Sequence, residues 1–187
     1  MICNKFVDNS HLVEKANKYI VDTNILIYLF GDTALKTETK KIKMLSDKYN
    51  QALNLGCKIY IPAVVISEFI NRWHKLEFEK LKRIEKDNKL NYKKDYRNTE
   101  KYKENNKFII KTIKSSILSR CIMINDNFND EDKEKLFADN DEQDFNDVLI
   151  INMANKNDCY LLSADIDVKK NFDLLIYIVL RKDLKRS

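Results

Sequence analysis

Four carboxylates occupy places where an acid needs a reason. Asp22 follows Tyr19-Ile20-Val21 and precedes Ile25-Leu26-Ile27, inside an apolar run. A charge buried there must be paired or coordinated. Glu68, in Ser67-Glu68-Phe69-Ile70, lies near the start of a helical stretch, and Asp147, with Asp144 close by, opens the apolar stretch 145–153. Asp165, followed by Asp167, comes just after Leu161-Leu162-Ser163. Two carboxylates about 4 Å apart repel by roughly 4 kcal/mol at an effective dielectric near 20. Such a cluster therefore takes up protons or gathers around a hard cation. Oxygen donors without histidine or thiolate select Mg²⁺ or Mn²⁺, and a water of lowered pKa attacking phosphorus is the chemistry such a site supports.

Each acid also has a plainer role. Asp144 and Asp147 suit a helix cap and the positive end of the helix dipole. Glu68 suits a first helical turn, and Asp165 a turn within Ala164-Asp165-Ile166-Asp167. Asp22 is harder to dismiss, because an acid inside an apolar run must be paired or coordinated. His11 and His74 show no ligand spacing and read as surface residues, whereas Trp73 shares the apolar spacing of Phe69 and Ile70 and reads as core.

The elements that must position these acids alternate. Strands are expected at 19–21, 58–61, 121–124, 159–162 and 174–179. Helices are expected after Asp22 and over 39–54, 65–81, 108–118, 130–137 and 145–155, with 82–107 helical but poorly bounded. The last two strands are continuous apolar runs, as in parallel strands covered on both faces. This pattern predicts an α/β fold with three layers, an open parallel sheet of about five strands flanked by helices. In such a sheet ligands collect at the carboxyl ends of the strands, so all four acids converge on one rim.

The chain has 187 residues, which suits one domain over 1–187, with 1–18 as an N-terminal extension before the first strand and 75–116 as a basic helical insertion. Hydrophobic residues make up 44%, and only 2 Gly and 1 Pro are present, which excludes linkers and disfavours a many-turned sandwich. No apolar run is long enough for a membrane span, and Met1 to Lys18 lacks the apolar core of a signal peptide. Cys3, Cys57, Cys121 and Cys159 form no paired spacing, which suits a reducing, cytoplasmic setting.

The net charge is +5, but residues 75–114 hold 14 Lys/Arg against 7 Asp/Glu, while 126–147 hold 10 acids against 2 bases. A polyanion on the basic arm and a cation on the acidic patch account for both runs. So does simple solvation of two charged helix faces.

In order, these segments resemble a PIN domain, the nuclease fold of VapC-type toxins. Tyr19-Ile20-Val21-Asp22-Thr23-Asn24 is similar to the family's opening strand, and Ile61-Pro62-Ala63-Val64-Val65-Ile66-Ser67-Glu68 to its second motif, with Ala63 in place of Ser. Asp147, Ile150 and Ala154 match the third. Leu161-Leu162-Ser163-Ala164-Asp165-Ile166-Asp167-Val168 is similar to the fourth, with Ser163 for Thr and Val168 for Phe. The resemblance implies a Mg²⁺- or Mn²⁺-dependent endoribonuclease with Asp22, Glu68, Asp147 and Asp165 holding the ions, and Asp144 and Asp167 as additional candidates. Asn24 and Ser163 would orient a carboxylate or water. The RNA would lie on the basic arm, on Lys82, Arg83, Lys93 and Lys94, with Tyr92, Tyr96 and Tyr102 stacking on bases. A cognate antitoxin and a homodimer are further implications of the family.

Two other readings compete: a non-catalytic RNA-binding or protein-interaction module on the same scaffold, and an acidic-pocket phosphatase. The phosphatase reading wants Asp-x-Asp after the first strand, where this chain has Asn24.

Overall fold

The computed structural model describes residues 5–7, 13–31, 39–126, 128–130, 137, 144–163 and 176–179. Strand β1 spans Lys5–Val7 and β2 Lys18–Val21, followed by helices α1 (Thr23–Phe30) and α2 (Thr39–Asn54). Next come β3 (Lys58–Pro62), the long α3 (Ala63–Glu85), α4 (Glu100–Thr112) and β4 (Ile122–Ile124). Helix α5 (Phe145–Lys156), β5 (Tyr160–Ser163) and β6 (Ile176–Val179) complete the fold. The helix expected over 130–137 lies mostly outside the described residues.

All strands are parallel, in the order β1-β6-β5-β2-β3-β4. The sheet therefore has six strands rather than about five. The additional one is β1, within the stretch expected to precede the sheet, where three residues, Lys5-Phe6-Val7, are too short to stand out by periodicity.

The order has a functional consequence. From β2 the chain moves outward to β3 and β4 and later returns through β5 on the opposite side of β2. Connections diverge at the carboxyl end of β2, and such a switch point leaves a crevice there. Val21 is in register with Leu162, and the Asp22 N–H donates to the Leu162 carbonyl (3.0 Å), so Asp22 stands level with the end of β5.

Burial follows from this central position. Tyr19, Ile20 and Val21 of β2 are buried, as are Ile59 and Ile61 of β3 and Leu161 and Leu162 of β5. Helix α1 is apolar nearly all round and correspondingly sunk in the core, with Thr23 through Ile27 buried. Gly56 adopts φ +72° after α2, the left-handed step at which a helix commonly ends, and the following Cys57 N–H caps back to Ala52.

Helices α3 and α4 form an antiparallel hairpin with its own aromatic core. The connection between them, residues 86–99, includes a wide turn over Tyr92–Tyr96, closed by the Arg97 N–H on the Tyr92 carbonyl (2.9 Å) and capped by Asn91. Tyr96 is fully buried there, packed on Phe78, Tyr92 and Tyr102, so it offers no face to a base. Trp73 is core, as expected.

His74, expected at the surface, is 1% exposed and stacks on Tyr102. Its Nε2 lies 3.3 Å from Asn106 Oδ1, which can only accept, so Nε2 carries the proton. Nδ1 then accepts from the Tyr96 hydroxyl at 3.2 Å. Single-residue spacing could not reveal this, because the partners lie 22 and 32 positions away.

Burial pushes the His74 imidazole below its usual 6.5, opposed by the Asn106 hydrogen bond and the Glu77 charge. Above pH 6.5 the ring is neutral in folded and unfolded chains alike, and the benefit of burying it neutral is complete. As pH falls below 6.5 the unfolded chain takes up the proton first, so stability declines until the lower folded pKa is passed. The urea midpoint of the wild type should fall between pH 7 and pH 5 by more than that of His74→Gln; equal falls would show that His74 is not the titrating group.

Candidate active site

Asp22 ends β2 and is the N-cap of α1, with the Asn24 N–H 3.4 Å from Oδ1. A cap residue has extended backbone, which is why the strand can pass into the helix at this acid (φ −74°, ψ 154°). The other oxygen, Oδ2, accepts from Asn24 Nδ2 (2.6 Å) and from the Ser163 hydroxyl (2.5 Å). Asn24 Nδ2 also lies 3.2 Å from Ser163 Oγ, closing a three-membered network. Asp22 is 6% exposed, and Asn24 and Ser163 are buried with it. Both partners are neutral donors. These two donors fix the carboxylate's orientation.

Glu68 is brought in by a residue that the motif reading passed over. Thr23, fully buried beside Asp22, points its hydroxyl at Glu68 Oε2 (3.1 Å), with the Val65 carbonyl at 3.4 Å. The other Glu68 oxygen takes Arg72 Nη1 at 3.4 Å, a partly exposed pair one helical turn along α3. The Arg72 contact was readable as an i, i+4 pair, whereas the Thr23 contact depends on α1 packing on α3. Packing of α1 on α3 thus brings Glu68 onto the hydroxyl of the residue that follows Asp22 in the chain.

Asp147 is half-buried in the first turn of α5, and α5 packs on β2 and β5, the two strands whose ends carry Asp22 and Ser163. Asp144 is the exposed N-cap of α5, accepting from the Asn146 N–H at 2.8 Å, so its capping role is realised. Asp165 and Asp167 lie outside the described residues. Among the described residues no three His, Cys, Asp or Glu side chains stand together as a metal cluster.

The donors at hand are nonetheless of one kind. His74 is enclosed in the α3–α4 hairpin, and burial pushes up the thiols of Cys57, Cys121 and Cys159, which keeps them protonated. Among the described residues the candidate donors are then oxygens: the carboxylates of Asp22 after β2, of Glu68 on α3 and of Asp147 in the first turn of α5. That donor chemistry fits Mg²⁺ or Mn²⁺ rather than zinc.

The cations expected to meet RNA differ in availability. Lys82 is paired with Glu79 (3.0 Å) and sits 4.6 Å from the Phe78 ring centroid, while the Arg83, Lys93 and Lys94 residues are exposed.

The sheet is parallel, with Asp22 directly after its central strand, an α/β arrangement, and a family model for the PIN domain matches residues 19–172. The chain belongs to the PIN domain family. Among solved structures it is similar to VapBC2 from Rickettsia felis bound to a DNA fragment from its promoter, at 15% identity and a TM-score of 0.46, covering 86% of this chain and 97% of that one. No curated protein matches the chain.

Removing either neutral donor leaves the buried Asp22 carboxylate short of a partner, which costs about 1–3 kcal/mol. Asn24→Ala and Ser163→Ala should each lower the urea midpoint accordingly at pH 7 with an unchanged m-value. A midpoint equal to the wild type would show that the hydrogen bonds to Asp22 are not made in solution.

Proposed function

We propose that this chain is a divalent-metal-dependent endoribonuclease that hydrolyses RNA phosphodiester bonds. The observation that carries the reading is the buried Asp22 carboxylate at the carboxyl end of β2, oriented by Asn24 and Ser163 and tied through Thr23 to Glu68. Membership of the PIN domain family, whose members are generally nucleases, supports it.

In this reading Asp22, Glu68, Asp147 and Asp165 hold Mg²⁺ or Mn²⁺, with Asp144 and Asp167 as further candidates. The ion, when bound, supplies a Lewis acid for the scissile phosphate and lowers the pKa of an attacking water. The chain's own residues set the geometry. Asn24 and Ser163 keep the Asp22 oxygens pointed in one direction, so little reorganisation is needed when the ion arrives. Thr23 does the same for Glu68 Oε2, and Arg72 draws the opposite oxygen away along α3. Arg83, Lys93 and Lys94, with Lys82, place positive charge along the hairpin for RNA phosphates.

The biological role we propose is the toxin of a type II toxin–antitoxin pair, acting in the cytoplasm as a homodimer and restrained by an antitoxin. Its support is the motif resemblance of the four acidic segments.

Asp22→Asn keeps the size and most hydrogen bonds of the side chain while removing the charge. Mn²⁺-dependent cleavage of a fluorescent RNA by this variant should fall to background, with the wild-type circular dichroism spectrum retained. Cleavage at the wild-type rate would refute the assignment.

A further inference from the structure

The basic hairpin does not present its lysines equally. Lys80 pairs with Glu77 (2.7 Å), Lys82 with Glu79 and Lys103 with Glu100 (2.6 Å), each within one helical turn. Such pairs are largely self-neutralised and have little charge left for a ligand. Lys107, Lys111 and Lys114 are different. Among the described residues none of the three has a carboxylate within ion-pair distance, and all are exposed. Even Glu104, one turn before Lys107, makes no ion pair with it.

These three stand at i, i+4 and i+7, Lys107 and Lys111 on α4 and Lys114 in the wide turn Ile113–Ile117 that continues it. They line an open groove of about 640 Å³, together with Asn106, Ile110 and Ser115. The lysines span roughly 10 Å along the axis at 1.5 Å per residue. Ile110 is half-buried between them, an apolar floor under a cationic rim.

The groove's direction can be read from the hairpin. Asn105 reaches Glu77, Asn106 reaches His74, and Phe108 packs edge-on against Trp73. Each step forward along α4 thus matches a step back along α3. Continued to the end of α4, this register sets Lys111 level with the turn of α3 that carries Glu68 and Ile70. The row of unpaired charge runs along the hairpin toward the level of the candidate site.

We propose that this groove binds the phosphate backbone of single-stranded RNA and leads it toward the acids, with Lys107, Lys111 and Lys114 as the contacts. This deepens the nuclease reading and rests on it for the identity of the polyanion. Uncompensated lysines in a row suit a flexible phosphate chain, because each neutralised phosphate releases counterions.

Binding is measured apart from cleavage, by anisotropy of a 5′-fluorescein oligouridylate in EDTA across a salt series. The triple variant Lys107→Gln, Lys111→Gln, Lys114→Gln should bind at least about tenfold more weakly and lose roughly 2 from the log K against log salt slope, at about 0.7 per phosphate contact on a single strand. The matched variant Lys43→Gln, Lys80→Gln, Lys103→Gln, which removes three lysines each paired with an acid one turn away, should lose clearly less. Glutamine keeps helix propensity close to that of lysine, and circular dichroism confirms the fold. An unchanged affinity and slope in the first variant, or equal losses in both, overturns the proposal. So does tighter groove-dependent binding of polyglutamate than of RNA, which would make the groove a site for an acidic protein surface. RNA held by the groove without Mn²⁺-dependent cleavage would sink the nuclease reading and leave the groove assignment standing. Normal cleavage with an unaltered KM in the first variant would do the reverse.

Discussion

A carboxylate placed almost out of water at the end of the central strand is the constraint around which the site is arranged. Asp22 is 6% exposed, and burying a charge is tolerable only where polar groups surround it. The fold provides them from three directions: Asn24 from the first turn of α1, Ser163 from the end of β5, and the helix N-terminus that Asp22 itself caps. The first and last are local to the chain, but Ser163 would not be in place if β5 did not lie beside β2. Strand order is therefore a requirement of the chemistry, because it brings a serine 141 positions away to the same oxygen.

From that point the network extends outward in steps that each have a physical cause. Thr23 is buried because α1 is apolar nearly all round, and its hydroxyl meets its need for a partner on Glu68 and the Val65 carbonyl. Glu68 is half-exposed on α3 and shares its charge with Arg72. The result is a gradient, from a fully enclosed carboxylate at the strand end to a solvent-touching one on the helix.

Much of this was legible in the sequence. The strands at 19–21, 58–61 and 159–162 and the helices at 39–54 and 145–155 declare themselves by apolar runs and helical stripes, and the structure has them within a residue or two at each end. The hydrogen-bonded burial of Asp22 was legible too, since an acid inside an apolar run must be paired or coordinated, whereas its capping of α1 was not read. What was not legible depends on distant packing. His74 reads as a surface residue because nothing near it in the chain reveals Tyr96, Tyr102 and Asn106. Tyr96 reads as a stacking platform among lysines, yet those lysines cover the outside of a hairpin whose aromatic residues fill its inside. Charge density along the chain likewise cannot separate lysines neutralised by a glutamate one turn away from lysines left unpaired.

The central claim is that acids remote in sequence meet at the carboxyl end of β2 to hold one hard cation site. Anomalous diffraction from a Mn²⁺-soaked crystal tests it most directly. The account expects a peak within coordination distance of an Asp22 oxygen, with at least one of Glu68, Asp147 and Asp165 also contributing. A Mn²⁺ peak remote from Asp22 in a crystal where that carboxylate is accessible, or Asp22 bound to nothing but Asn24 and Ser163 at saturating Mn²⁺, would contradict it.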